Sequence, residues 1–371
     1  MCELKDIFIA YGDDYQAQYS MSNIQHKAFS AISACRTEIL GGHRLVCPEC
    51  GTIEQSYNSC KNRHCPKCQA YKKEAWIERQ SQDLLNIRYF HVVFTVPECL
   101  NIVFLHNPEE MYRLLFQVSA ETLSELCADK KYLKAKSGHT AVLHTWGQSL
   151  QFHPHIHCIV PGGGITKDGK WRHSRKNFFL PVKVMSKLFK GKFLSLLKTM
   201  SLEFYNDAVH LSDRQHFQAL LNEAYSKDWV VYCKKPFKNS ASVISYLGRY
   251  THRVAISNAR ILSADDGKVT FKWRDYRDGS KQKTMVLDAV EFIRRFMLHI
   301  LPTGFMKIRH YGILANRDRH ARMDYCKRLT NTPLCERIKP DALTIVTQMI
   351  GRVPGTCPAC GNTMVFMPLV C

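Results

Sequence analysis

A chain of 371 residues is long enough for two or three structural units, the largest able to bury a full core. Its 52 Lys and Arg against 32 Asp and Glu leave a formal charge of +20, which favours a polyanionic partner, nucleic acid ahead of an anionic membrane surface. No run approaches the ~20 apolar residues of a membrane span, and residues 1–18 lack a signal-peptide pattern, so a cytoplasmic protein with sixteen cysteines is expected to use them for metal rather than disulfides.

In chain order, residues 20–40 space Ile24, Ala28, Ala31 and Ile32 as a helix does, until Gly41-Gly42 breaks the pattern. Cys47-Pro-Glu-Cys50 and Cys65-Pro-Lys-Cys68 follow as two C-x-x-C knuckles fourteen residues apart, with Cys60, His64 and His43 nearby. That spacing suits structural zinc on Cys47, Cys50, Cys60, His64, Cys65 and Cys68, with enough ligands for a second ion. A closed four-ligand site has no position for substrate, so the cluster organises the chain and presents cations such as Arg63 and Lys73 to a nucleic-acid backbone. A solvated basic face would show the same residues.

The β-branched and aromatic run 89–96 predicts a buried strand, and Pro108-Glu109-Glu110 opens a helix over 108–128. Residues 140–150 and 155–160 predict two strands joined by a connection containing Pro154, ending in Gly162-Gly163-Gly164. Strand, helix, strand, strand predicts an α+β fold, an antiparallel sheet with helices on one side. Helices are expected over 182–228 and 241–253, a hairpin over 268–287, and a basic, irregular segment over the last fifty residues. Within it Cys357-Pro-Ala-Cys360 is half a zinc ribbon, with Cys335 and Cys371 as the candidates to complete it.

His155-Ile156-His157 carries the sharpest chemistry. Alternation along a strand sends both imidazoles to one face, a two-toothed metal clamp, while Ile156 enters the apolar face. His144, Gln148 and His153 are the candidates for a third ligand. Tyr246 and Tyr250, four residues apart, share one helix face, as do Arg249 and Arg253. A phenol with a pKa of about 10 is a weak nucleophile, and attacks phosphate only when metal and cations polarise it. Trp171 and Trp273 sit among cations and suit base stacking. Each motif alone also occurs as plain packing or surface sequence.

Taken together, the segments Ser59-Cys60-Lys-Asn-Arg63-His64-Cys65-Pro66-Lys-Cys68-Gln69, His144-Thr-Trp146-Gly147-Gln148, His153-Pro-His155-Ile-His157, Tyr246-Leu-Gly-Arg-Tyr250-Thr-His-Arg253 and His310-Tyr-Gly-Ile-Leu-Ala-Asn316-Arg317 resemble the HUH (histidine, hydrophobic, histidine) endonucleases. More narrowly they resemble the rolling-circle transposases of the insertion-sequence 91 family, in an order running from about residue 20 to 320. The resemblance implies an N-terminal zinc-binding domain (1–80), an HUH single-strand endonuclease domain (81–320) and a basic tail (321–371). It implies structural Zn²⁺, catalytic Mg²⁺ or Mn²⁺, and a tyrosine that joins the 5′-phosphate of single-stranded DNA at the ends of a mobile element. The partners implied are DNA and no membrane, in a bacterial cytoplasm. No G-x-x-x-x-G-K-S/T loop is present, so no nucleotide cofactor is expected. An HUH replication initiator or relaxase, or a non-catalytic zinc-dependent DNA-binding protein, would share parts of this pattern.

Overall fold

The computed structural model describes residues 2–369 except 176, 238–241, 244, 245, 247, 249–253 and 277. Tyr250, Arg249, Arg253 and Cys371 therefore lie outside the described residues. The chain begins with two helices, α1 (Leu4–Gln18), which sequence periodicity did not single out, and α2 (Asn23–Ser33), capped by Ser22 and Gln25. A short ribbon follows, β1 (Gly42–Val46) and β2 (Ile53–Tyr57), and then α3 (Gln69–Ser81), whose N-terminus is the second C-x-x-C knuckle.

The central unit runs β3 (Tyr89–Thr95), α4 (Asn101–His106), α5 (Pro108–Ala128), β4 (Gly138–Trp146) and β5 (Phe152–Pro161). It continues with the small hairpin β6 (Gly163–Ile165) and β7 (Trp171–His173), then α6 (Val182–Leu197), α7 (Arg214–Ser226) and β8 (Val231–Lys234). Next come β9 (Ile261–Asp265), β10 (Lys268–Asp275), β11 (Lys281–Asp288) and α8 (Ala289–Met297), with β12 (Ile308–Gly312) returning to the central sheet. α9 (Arg319–Leu329), α10 (Ala342–Ile350) and β13 (Val365–Leu369) complete the chain.

The central sheet is antiparallel in the order β12-β4-β5-β3-β8. Strict alternation gives it two different faces. Phe90, Val92, Phe94, Ala141, Leu143, Ile156, Cys158 and Val160 project to one side and are buried against Leu115 and Phe116 of α5 and Phe189 and Phe193 of α6. At about 1.5–3 kcal/mol for each large apolar side chain removed from water, this layer is the main source of stability and anchors the sheet. The opposite face carries His91, Val93, Thr95, Val142, His144, His155 and His157, paired across strands in the registers Thr95↔His155, Val93↔His157 and His144↔His155.

Pro154 does not sit in a connection as expected; it lies inside β5. The register shifts between His144 and Trp146, so β5 carries one residue more than β4 there, and a proline without an amide hydrogen fits at such a bulge. The hairpin expected over 268–287 forms in register from Lys268↔Asp288 to Asp275↔Lys281, with β9 as an additional strand. That three-stranded sheet and α8 share a second core with α1 and α2, where the Phe8 ring stacks on Phe29 at 4.7 Å and meets Phe296 edge-on at 5.5 Å.

The C-terminal segment is not an irregular tail. β13 pairs with β1, Leu45 opposite Phe366 and Val46 opposite Val365, so residues more than three hundred apart build one small sheet.

Candidate functional site

On the polar face of the central sheet, His155 and His157 point the same way, as strand alternation requires, and their Nε2 atoms are 3.0 Å apart. His144 sits directly across from His155 on β4, and the three rings bring one nitrogen each within 4.8 Å of the others. Of the three candidates for a third ligand, the structure brings His144 to the pair. Gln148 is engaged elsewhere, its amide donating to the Tyr276 hydroxyl at 3.2 Å and its Oε1 accepting from the Arg274 amide at 3.4 Å. His153 lies beyond the bulge, and its carbonyl oxygen is 2.7 Å from His155 Nδ1. That contact engages Nδ1 and orients His155 so that Nε2 faces His157.

A fourth histidine escaped the sequence reading. His91 on β3 shares the face of the clamp, and its Nε2 lies 2.8 Å from His157 Nδ1. Burial pushes its pKa down to about 3, with Lys234 and His155 adding to the effect, so the ring is neutral at pH 7 and offers one donor and one acceptor. The hydroxyl of Tyr246 stands 2.8 Å from His91 Nδ1. Tyr246 is buried among Tyr89, Ile159 and Val243, with Phe237 against its ring at 5.0 Å. The signal that could have found His91 is the i, i+2 alternation His91-Val93-Thr95, which places it on the clamp's side once β3 is paired with β5.

Of the six residues expected to hold structural zinc, five are divided between two groups, as the allowance for a second ion anticipated. Cys60, Cys65 and Cys68 meet Cys35 at the end of α2, with Sγ···Sγ separations of 3.6 Å from Cys35 to Cys68, 3.5 Å from Cys60 to Cys68 and 3.6 Å from Cys65 to Cys35. Cys47 and Cys50 instead meet Cys357 and Cys360, at 3.5 Å for Cys47 to Cys360 and 3.5 Å for Cys50 to Cys357. A tetrahedron of 2.3 Å Zn–S bonds has edges of about 3.8 Å, so both thiol sets fit that ion. Within this coupled set, hydrogen bonding with Cys35, then with Cys60 and Cys65, lowers the pKa of the Cys68 thiol. His64 belongs to neither group; its Nε2 accepts from the Leu301 amide at 3.4 Å. Cys335 does not complete the C-terminal half-ribbon, since its sulfur accepts from Lys327 Nζ at 3.0 Å.

Between α3 and the β9-β10-β11 sheet opens a cleft of about 690 Å³ whose walls include Lys73, Arg260, Lys272, Trp273, Arg274 and Tyr276. Gly248, two residues beyond Tyr246, forms part of its lining and packs so closely on Ile77 of α3 that a Cβ there would collide with it. The cysteine module is thereby pressed against the tyrosine segment. Trp273 is half-buried on the second core and also lines the cleft. Arg63 turns inward beside His64, Trp146 and Phe296, and burial lowers its pKa. Trp171 is half-buried, packs against Gly163 and has its indole nitrogen buried.

Fold and site define an α+β protein of the histidine, hydrophobic, histidine type with an appended cysteine module. A family profile described as "Putative transposase" matches residues 138–322, and one described as "Transposase zinc-binding domain" matches residues 7–96. The chain is 44% identical over 374 residues to "Putative transposase y4qJ" of Sinorhizobium fredii, covering 96% of this chain and 92% of that one. It is 28% identical over 303 residues to the transposase for insertion sequence element IS801 of Pseudomonas savastanoi pv. phaseolicola, covering 80% and 72%. Among solved structures, the conjugative relaxase TrwC in complex with oriT DNA, metal-bound, matches 37% of this chain and 54% of that one. Its identity is 13% and its TM-score 0.25, a likeness too weak to carry an argument. The chain belongs to the insertion-sequence 91 family of transposases. No helix among the described residues is long and apolar enough to cross a membrane.

Proposed function

We propose that this transposase cuts and rejoins single-stranded DNA at the ends of a mobile element by a rolling-circle route, through a covalent 5′-phosphotyrosine. The observation that carries the reading is the continuous contact from the Tyr246 hydroxyl through His91 to His157 of the clamp.

His144, His155 and His157 would hold a divalent ion that neutralises the non-bridging phosphate oxygens and aligns the phosphate. Three imidazoles with nitrogens this close would suit a divalent ion, and Mg²⁺ or Mn²⁺ would supply the phosphate-polarising chemistry there. The proton arrangement follows from the contacts. A His157 that ligates through Nε2 carries its hydrogen on Nδ1 and donates it to His91 Nε2. The Tyr246 hydroxyl stands 2.8 Å from His91 Nδ1 and 2.9 Å from its Nε2, so His91 orients the phenol beside the clamp. Tyr246 Oη gives up its proton to solvent and bonds to phosphorus, the bond from phosphorus to the 3′-oxygen breaks, and that oxygen takes up a proton from solvent, leaving as the 3′-hydroxyl. The phosphodiester free energy is kept in the new P–O bond, so rejoining needs no nucleotide hydrolysis. Structural zinc on the two cysteine groups keeps α3 against the tyrosine segment. The strand lies along the neighbouring cleft, Lys272 and Arg274 on phosphates and Trp273 and Tyr276 under bases, at about 1–3 kcal/mol per stacked base.

The test is a denaturing gel of the protein with end-labelled single-stranded DNA carrying the element's ends and Mg²⁺ or Mn²⁺. A covalent adduct is expected, lost in His155→Ala and in the Tyr246→Phe/Tyr250→Phe double variant. An adduct that survives both changes rules the chemistry out.

A further inference from the structure

Far from the histidines, at the opposite end of β4, lies a second cleft of about 890 Å³. Its rim carries Lys130, Lys134, Lys136, Lys167, Arg172 and Arg322. The only acid among its lining residues is Asp168, which lies 3.5 Å from Lys170. Arg322 spends its guanidinium on the carbonyls of Ile313, Ala315 and Arg317, so its charge meets no carboxylate there, and the five others are exposed. Among the described residues none of the six forms an ion pair, although six like charges around one cavity repel one another. Ala135 and Ile313 are buried beneath them and give the cleft an apolar floor.

The cations are brought together by backbone geometry and not by sequence proximity. Lys134, in left-handed conformation, is held by the hydrogen bond its amide donates to the Asp129 carbonyl, and Lys136 pairs with Ile165, which carries Lys167 alongside. Arg172 comes from β7, across the hairpin. A rim of unneutralised cations over an apolar floor is the chemistry of a site for nucleic-acid backbone.

We infer that this cleft grips a second stretch of the same DNA, away from the strand at the histidine and tyrosine site; the inference rests on DNA being the substrate. Gly138, beside the cleft, and His144 are six residues apart along β4, so the two places are separated by about 20 Å, or roughly six nucleotides at 3.4 Å each. The protein thus holds DNA beyond the reacting phosphate, which fixes register without reading the bond to be cut.

The experiment compares fluorescence-anisotropy affinities for a 30-nucleotide oligothymidine from 50 to 300 mM KCl. Wild type is set against Lys136→Ala/Lys167→Ala/Arg172→Ala and against Lys183→Ala/Lys187→Ala/Lys198→Ala, three exposed cations of the α6 region on another face. Three lost phosphate contacts lower the slope of log affinity against log salt by about 2 in the cleft variant, while the control variant changes it by less than about 0.5. Lys136→Arg/Lys167→Arg restores the affinity that Lys136→Ala/Lys167→Ala loses, which separates charge from misfolding. Equal slope losses in the two triple variants, or no loss in the cleft variant, overturns the inference. Binding is read without cleavage, so failure of the phosphotyrosine chemistry shows on the denaturing gel and leaves this result intact.

Discussion

The division of the cysteines into two groups makes a sharp prediction, because it ties the chain's C-terminal region to its beginning. In Cys357→Ala the set formed with Cys47, Cys50 and Cys360 drops to three thiols, while Cys35, Cys60, Cys65 and Cys68 are untouched. Zinc content should fall from two equivalents to one. The mechanical effect is larger than that of Cys35→Ala, which also removes one equivalent. The first site closes a loop of 307 residues and the second one of 33. Closing the longer loop restricts the unfolded chain by about 2 kcal/mol more, since the entropy grows with the logarithm of loop length. Loss of the long-range site should therefore free β13 from β1 and expose the segment around Arg352 to trypsin, while α3 stays in place. Metal analysis by inductively coupled plasma mass spectrometry and timed proteolysis read both effects. His64→Ala is the counter-test, with two equivalents expected. Two equivalents in Cys357→Ala, or one in His64→Ala, would refute the division and return the ligands to a single cluster.

Three further outcomes are expected. His91→Ala removes the partner of His157 Nδ1 and should weaken Mn²⁺ binding by 10–100-fold in isothermal titration with the zinc sites filled; an unchanged affinity would mean that His91 does not orient the clamp. Gly312→Ala should lower the melting temperature, because Gly312 has φ +60° and a Cβ would collide with the Ser137 carbonyl; backbone strain alone costs about 1–3 kcal/mol, and an unchanged melting curve would contradict the close approach. Stability should also fall in mild acid. Burial pushes His139 down to about 3 and His299 down to about 4, so below pH 6.5 the unfolded chain takes up protons that the folded chain refuses. Stability is then flat above pH 6.5 and declines towards pH 4, by about 2–3 kcal/mol between pH 7 and 5.5 for the two groups together, measured by urea unfolding. A profile that rises on acidification would refute this sign.

Much of the site was legible because its signals are local. A two-residue period places His155 and His157 on one face wherever β5 lies, and the proline and acids at Pro108-Glu109-Glu110 start α5 without help from the rest of the chain. The cysteine knuckles announce metal for the same reason, since each pair is built from adjacent residues.

Partner choice was not legible, because it depends on which distant segments the fold brings together. Cys47-Cys50 and Cys65-Cys68 look like two halves of one ribbon, yet packing of the N-terminal helices supplies Cys35 to one pair and strand pairing with β13 supplies Cys357 and Cys360 to the other. Which of His144, Gln148 and His153 lies beside the pair was likewise open until the register His144↔His155 brought His144 there. The amino-acid order by itself determined the chemistry available, thiols, imidazoles and phenols at strand and helix spacing; only tertiary structure decided which of them converge. Side-chain direction follows from a few neighbouring dihedrals, whereas convergence of groups hundreds of residues apart is set by burial of the whole core.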